Sequence, residues 1–279
     1  MRRLIVNADD FGLTSGINRA VIELHAAGAL SSATLMATAP ASSFSQAAEE
    51  ARRHASLGVG CHVVLLDGAP VLPPSEVPSL VSGDAFRPKL STFVTDLLRG
   101  RIAEAEIEKE ATAQIRKLQQ ADIPVTHVDT HKHAHMFPRV LRPLLRAALQ
   151  CDIHAIRNPF EPNWALNATA NAGHVRKMQV RLLRSQSSAF AREVNRAGLR
   201  TTDGAIGVLA TGTLDQTTIG SLLAAMPDGT WELVCHPGYN DADLQRQRTR
   251  LHASRDIERT ALLDTVSQSG IDLIHFGQI

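Results

Sequence analysis

Two clusters far apart in the sequence carry residue types that hold a divalent metal ion: Asn7-Ala8-Asp9-Asp10-Phe11-Gly12 and His127-Val128-Asp129-Thr130-His131-Lys132-His133-Ala134-His135. Adjacent buried carboxylates repel each other, so they need a cation or a shared proton. Neutral imidazole is a common ligand for zinc, nickel and iron, whereas carboxylate oxygen suits magnesium and manganese. One carboxylate and two imidazoles can hold an ion and leave the second carboxylate free as a base, the equipment of a metal-dependent hydrolase. Each piece has an ordinary explanation when taken singly. An aspartate after a strand often caps a helix, and the plain explanation of the histidine tract is a polar strand end leading into Met136-Phe137-Pro138. Four histidines and an aspartate within nine residues are hard to explain that way. Not all four histidines can be ligands, so some are expected to orient the others.

Three further residues are candidates on weaker grounds. His62 interrupts the apolar run Gly58 to Leu65, where a lone histidine is more often a satisfied core residue. His236 precedes Pro237-Gly238, which fixes the backbone just after the imidazole and suits a positioned general acid; a simple turn histidine is the competing explanation. Arg157, in Arg157-Asn158-Pro159, could orient the catalytic aspartate or form a surface ion pair. Cys61 and Cys235 flank histidines, but strand neighbours face opposite sides, so both are expected to be buried small apolar residues.

The elements that must position these residues alternate along the chain. Strands are expected near residues 4–7, 33–37, 57–65, 125–129, 154–157, 200–203, 231–236 and 272–276. Helices are expected near 16–27, 43–53, 102–121, 139–149, 175–197, 214–225 and 241–269. Such alternation implies a parallel sheet with helices outside, and close to eight units favours a closed or distorted barrel over a doubly wound sheet. Asp9, Asp10, His62, His131 and His236 all fall at or just past the C-terminal part of an expected strand, where parallel α/β folds build their sites. His127, Asp129 and His131 would share one strand face. The stretch from Asp67 to Thr92 holds five prolines and no helical period, so it is expected to be a lid-like loop that shapes the substrate site.

The bulk numbers narrow the function classes. At 279 residues the chain can form one large domain, taken here as residues 1–279 with the insertion at about 67–92. Lys+Arg number 29 against 28 Asp+Glu, and aromatics are 4%, which disfavours a nucleic-acid partner. Three cysteines without a CxxC pair support neither a disulfide framework nor a cysteine zinc site, and a cytoplasmic location is the simplest expectation. No stretch approaches the ~20 apolar residues of a spanning helix.

The two clusters, together with Gly60-Cys61-His62, Thr126 to His135 and Cys235-His236-Pro237-Gly238, resemble the motifs of the YdjC-like carbohydrate deacetylases, themselves similar to the polysaccharide deacetylases. The motifs occur in the expected order over most of the chain. The resemblance implies a distorted (β/α) barrel that removes acetyl groups from N-acetylated sugars. Motif by motif it implies Asp10, His62 and His131 as metal ligands, Asp9 as general base and His236 as acid, with Arg157 and Pro159 supporting the base. His127, Asp129, His133 and His135 remain as substrate-binding residues or partners that orient the ligands. One divalent ion is implied, magnesium by family likeness, although two imidazoles suit zinc or another transition metal at least as well. A homodimer is compatible with the likeness. The stretch Val63 to Pro78 resembles the branch associated with hopanoid biosynthesis, which implies an N-acetylglucosaminyl hopanoid lipid as substrate, with chitooligosaccharides as the alternative.

Two other classes fit part of the pattern. Two histidines and a carboxylate also form the iron site of non-haem oxygenases, but ligands spread over separate strands beside an extra carboxylate suit hydrolysis better. A non-catalytic sugar- or lipid-binding protein could keep the fold, but every expected catalytic residue is present.

Overall fold

A computed structural model describes residues 1–170 and 172–279. The first half runs β1 (Arg2–Phe11), α1 (Ser15–Ala26), β2 (Ser32–Leu35), α2 (Ala41–Arg53), β3 (Gly58–Val63), β4 (Val81–Ser82), β5 (Ala85–Phe86), α3 (Leu90–Leu98), α4 (Glu104–Gln120), β6 (Val125–Thr130) and α5 (Pro138–Gln150). The second half runs α6 (Asn163–Ala168), α7 (His174–Arg184), α8 (Ser187–Ala197), β7 (Gly204–Ile206), α9 (Gln216–Ala225), β8 (Gly229–Cys235), α10 (Ala242–Gln245), α11 (His252–Thr265) and β9 (Asp272–Leu273).

The main sheet is parallel, in the order β6-β3-β2-β1-β8-β7. β9 also pairs with β1, at Arg3 and Leu4, on the edge that β2 occupies further along. Leu4, Ile5 and Val6 are consecutive and fully buried because helices cover one face of the sheet and its curl covers the other. Beyond β6 the ladder continues through single parallel bridges, Val128 to Ile156 and Ala155 to Arg200, so the sheet curls into a distorted barrel. Gly60 is the only residue type that fits its place in β3, since a Cβ there would lie 2.3 Å from the His127 ring.

The expected elements differ from the structure in several places. The strands expected at 154–157 and 200–203 are reduced to those isolated bridges, and the regular strand β7 starts only at Gly204. The helices expected over 175–197 and 241–269 are each broken in two, at Ser185–Gln186 and over 246–251. The proline-rich stretch is not structureless: it carries the β4–β5 hairpin, and α3 begins inside its expected end. This stretch is tied down by buried Glu110, which accepts from the backbone N–H groups of Val71 and Leu72 at 2.8 and 3.2 Å. Among the described residues no helix is long and apolar enough to cross a membrane.

Glu161, 1% exposed, holds the loop after β7 by accepting from the N–H groups of Gly207 and Leu209 at 2.9 and 2.6 Å. Burial pushes its carboxyl from an ordinary 4.5 up to about 7, against the pull of those two donors. The folded state therefore binds this proton more tightly than the unfolded chain does. The associated stability is complete below the unfolded pKa and is lost as pH rises through about 7. Urea unfolding of wild type and Glu161→Gln is expected to show wild type losing stability relative to the variant between about pH 4.5 and 8. A pH-independent difference would remove this role.

Candidate metal centre and active site

The site forms where β1, β3, β6 and β8 end. Adjacent residues in a regular strand face opposite ways, so Asp9 and Asp10 could not both point into one site from an ideal β1. The register of β1 against β2 shifts between Ala8 and Phe11, and Asp10 takes a left-handed backbone with φ 65°. Aspartate tolerates this conformation better than most residues. The bulge brings both carboxylates into the same cluster of buried side chains.

Asp10, His62 and His131 meet as a triangle. His62 Nε2 lies 3.3 Å from His131 Nδ1 and 3.6 Å from Asp10 Oδ1, which is 3.4 Å from His131 Nδ1. Edges of this length suit three ligands each about 2.1 Å from one ion. Asp10 Oδ1 is buried with no hydrogen-bond partner, while Oδ2 is held by Arg255. His62 is aimed by Asp129, whose carboxylate takes Nδ1 at 2.8 Å and so leaves Nε2 free. Burial alone would lower the His62 pKa, but Asp129 and then Asp9 lift it to about 9. An ion seated there must displace that proton. A second possible group, Asp9 with His62 and Asp129, is less suited to a cation because the Arg157 guanidinium already pairs with both carboxylates.

Asp9 is the other half of the site. Arg157 Nη2 reaches its Oδ1 at 2.7 Å and Nη1 its Oδ2 at 2.9 Å, a two-pronged pairing. Asn7 Nδ2 and Thr34 Oγ1 also donate to Oδ1, each at 2.9 Å. Burial opposes the charge on Asp9, but Arg157, then His62 and His236, hold the carboxyl far below the ordinary range. The fully buried guanidinium also meets Asp129 and Glu232. Three carboxylates around one cation leave excess negative charge. Burial raises Glu232 to about 7, helped by Asp9 and Asp129 and opposed by Arg157, so Glu232 is the member readiest to carry a proton.

His236 stands between two carboxylates. Its Nε2 is 3.8 Å from Asp9 Oδ2, and its backbone N–H donates to Glu258 Oε2 at 2.6 Å. Burial lowers its pKa to about 4 despite the nearby aspartates, so the imidazole is neutral at rest.

The remaining candidates from the sequence differ in where they fall. β6 ends at Thr130, so His131 begins a 3-10 turn and does not continue the face of His127 and Asp129. Lys132 and His133 take φ of 55° and 52°, which turns the chain back over the strand end. His127 lies deeper in the barrel, stacked on Phe276 at 3.8 Å between ring centres, with Thr126 Oγ1 as its partner. His135 is a buried buttress: Thr130 Oγ1 meets Nδ1 at 2.7 Å, and Nε2 lies 3.2 Å from the Arg157 carbonyl. His133 has a buried, unpartnered Nδ1. Pro159 is buried two residues past Arg157. Lys132 pairs with Asp67 at 2.6 Å, linking the proline-rich insertion to the residue next to His131. Sequence inspection misses Arg255, Glu258, Glu232 and Thr34. The clearest available signal was Glu232, a lone carboxylate in the apolar run of β8.

A family model described as YdjC-like protein matches residues 3–271. A carbohydrate deacetylase of Thermoanaerobacter pseudethanolicus is 28% identical over 95% of this chain and 92% of its own length. A mouse carbohydrate deacetylase is 32% identical over 85% of this chain and 78% of its own. A carbohydrate deacetylase of Brevibacillus brevis is 41% identical, but the match spans only 57% of this chain and 60% of that protein. Among solved structures, a candidate cellobiose-phosphate cleavage protein of Enterococcus faecalis superposes with a TM-score of 0.75 at 26% identity, covering 99% of this chain and 98% of that one. A lactam utilization protein of Thermus thermophilus superposes with a TM-score of 0.54 at 14% identity over 98% of this chain and 99% of that one, a likeness of fold alone.

Proposed function

The chain belongs to the YdjC-like family, and from that premise we propose that it is a metal-dependent hydrolase removing the acetyl group from an N-acetylated sugar. The observation that carries this is the buried, unpartnered Oδ1 of Asp10 facing Nε2 of His62 and Nδ1 of His131. Unmatched buried oxygen is costly, and a cation among these donors would satisfy it. A divalent ion held by Asp10, His62 and His131 would polarise the acetamide carbonyl and acidify a water.

The chain's own residues handle the proton. Asp9 takes it from the water whose oxygen adds to the acetamide carbon. A carboxylate held as low as Asp9 keeps a proton only briefly, and the neutral His236 can accept it at Nε2, 3.8 Å from Oδ2. His236 then gives the proton to the departing nitrogen as the C–N bond breaks, yielding acetate and a free amino sugar. Arg157 fixes Asp9, and Asp129 fixes His62. The substrate we favour is an N-acetylglucosaminyl lipid such as a hopanoid glycoside, with chitooligosaccharides second. The segment over 67–92, strapped to Lys132 through Asp67, would shape the approach to the site. Residues 1–279 would act as one domain.

The test is acetate release by the metal-loaded protein from diacetylchitobiose and from an N-acetylglucosaminyl hopanoid, with and without chelator. Chelator-sensitive release from either is expected, and the better substrate identifies the branch. No release from both while an ion is bound would point to another amide.

A further inference from the structure

A buried carboxylate beside His236 has no task in the proton path. Glu258, on α11, is fully buried, and its Oε2 accepts the His236 backbone N–H. The same oxygen lies 4.0 Å from His236 Nδ1. Both His236 Nδ1 and Glu258 Oε1 are buried without hydrogen-bond partners. A buried polar atom left unmatched is costly, and the Glu258 carboxylate is an acceptor beside Nδ1, 4.0 Å from it. On the other side of the ring, Nε2 faces Asp9. A proton on Nε2 would leave the Nδ1 lone pair facing Glu258, whereas a proton on Nδ1 leaves the Nε2 lone pair facing Asp9, whose charge Arg157 already offsets. Asp10, Arg255 and His62 also act electrostatically on this ring, with effects of both signs.

We propose that Glu258 is a positioning residue for His236: it accepts Nδ1–H, which leaves the Nε2 lone pair aimed toward Asp9 and the departing nitrogen. When Nε2 gains the proton that water gave to Asp9, Glu258 stabilises the imidazolium until the proton passes to the amine. No other proton or electron moves. The catalytic meaning rests on the deacetylase proposal, but the tautomer does not. The plain competing role is a staple for the backbone at residue 236.

The experiment combines nitrogen-15 histidine NMR of the zinc-loaded full chain with kinetics of wild type, Glu258→Gln and Glu258→Asp. The expected wild-type spectrum shows the His236 proton on Nδ1, the Gln variant loses that tautomer, and the Asp variant regains it. For the N-acetyl sugar, kcat of the Gln variant should fall about ten- to a hundredfold with KM nearly unchanged. Hydrolysis of 4-nitrophenyl acetate, whose leaving group needs no proton, should fall clearly less than amide hydrolysis. A wild-type proton on Nε2, an unchanged tautomer in the Gln variant, or equal losses on amide and ester would overturn the assignment. If wild type hydrolyses neither substrate, the deacetylase proposal fails while the NMR result still decides the tautomer.

Discussion

Replacing Asp9 by asparagine is expected to lower deacetylation by about three orders of magnitude while the metal ion stays bound. The two effects separate because the proposed ligands are Asp10, His62 and His131, whereas Asp9 is committed to Arg157, Asn7 and Thr34. An amide oxygen can still accept from Asn7 or Thr34 but cannot take a proton from water. The fold should tolerate the change, since Arg157 keeps Asp129 and Glu232 as partners and the cluster sheds an excess negative charge. Metal content and acetate release, measured on the same preparation, check this. Loss of the ion with Asp9→Asn would show that the two aspartates have been given each other's roles.

Arg157→Met should be the most damaging change to the fold. It preserves much of the side-chain volume but leaves Asp9, Asp129 and Glu232 buried without their shared cation. Breaking a buried ion pair from one side costs about 3–5 kcal/mol, which lowers the melting temperature by on the order of 10 °C for a chain of this size. The sign of the pH dependence follows from Asp9. Arg157 holds its carboxyl low, so the stability it contributes is present above the unfolded value of 3.8 and is lost as pH falls below it. The deficit of the variant should therefore hold from neutrality down to about pH 4 and shrink only as pH falls further. Thermal melts across that range check it. Equal melting temperatures at neutral pH would mean that solvent or rearrangement compensates the carboxylates.

The difference between what the sequence exposes and what it hides follows from geometry. Asp9, Asp10, His62, Arg157 and His236 stand out because each interrupts or ends an apolar segment, and parallel strands gather their C-terminal ends on one side. Strand periodicity fails at the two places where the backbone leaves the strand. The bulge at Asp10 brings in a neighbour that ideal alternation would send away. The turn at His131 ends the face expected to be shared with His127 and Asp129, and His127 and His135 lie in the core around the site. Arg255 and Glu258 were hidden for a different reason. Charged residues three apart in a helix ordinarily face solvent, and only the break before α11 and its packing reveal that both are fully buried.

The most direct measurement is anomalous-scattering crystallography of the protein loaded with zinc or manganese. One ion is expected between Asp10 Oδ1, His62 Nε2 and His131 Nδ1, with the Asp9–Arg157 pair intact beside it. An ion seated instead between Asp9 and Asp129, with Arg157 displaced, would contradict the division of the two aspartates into ligand and base.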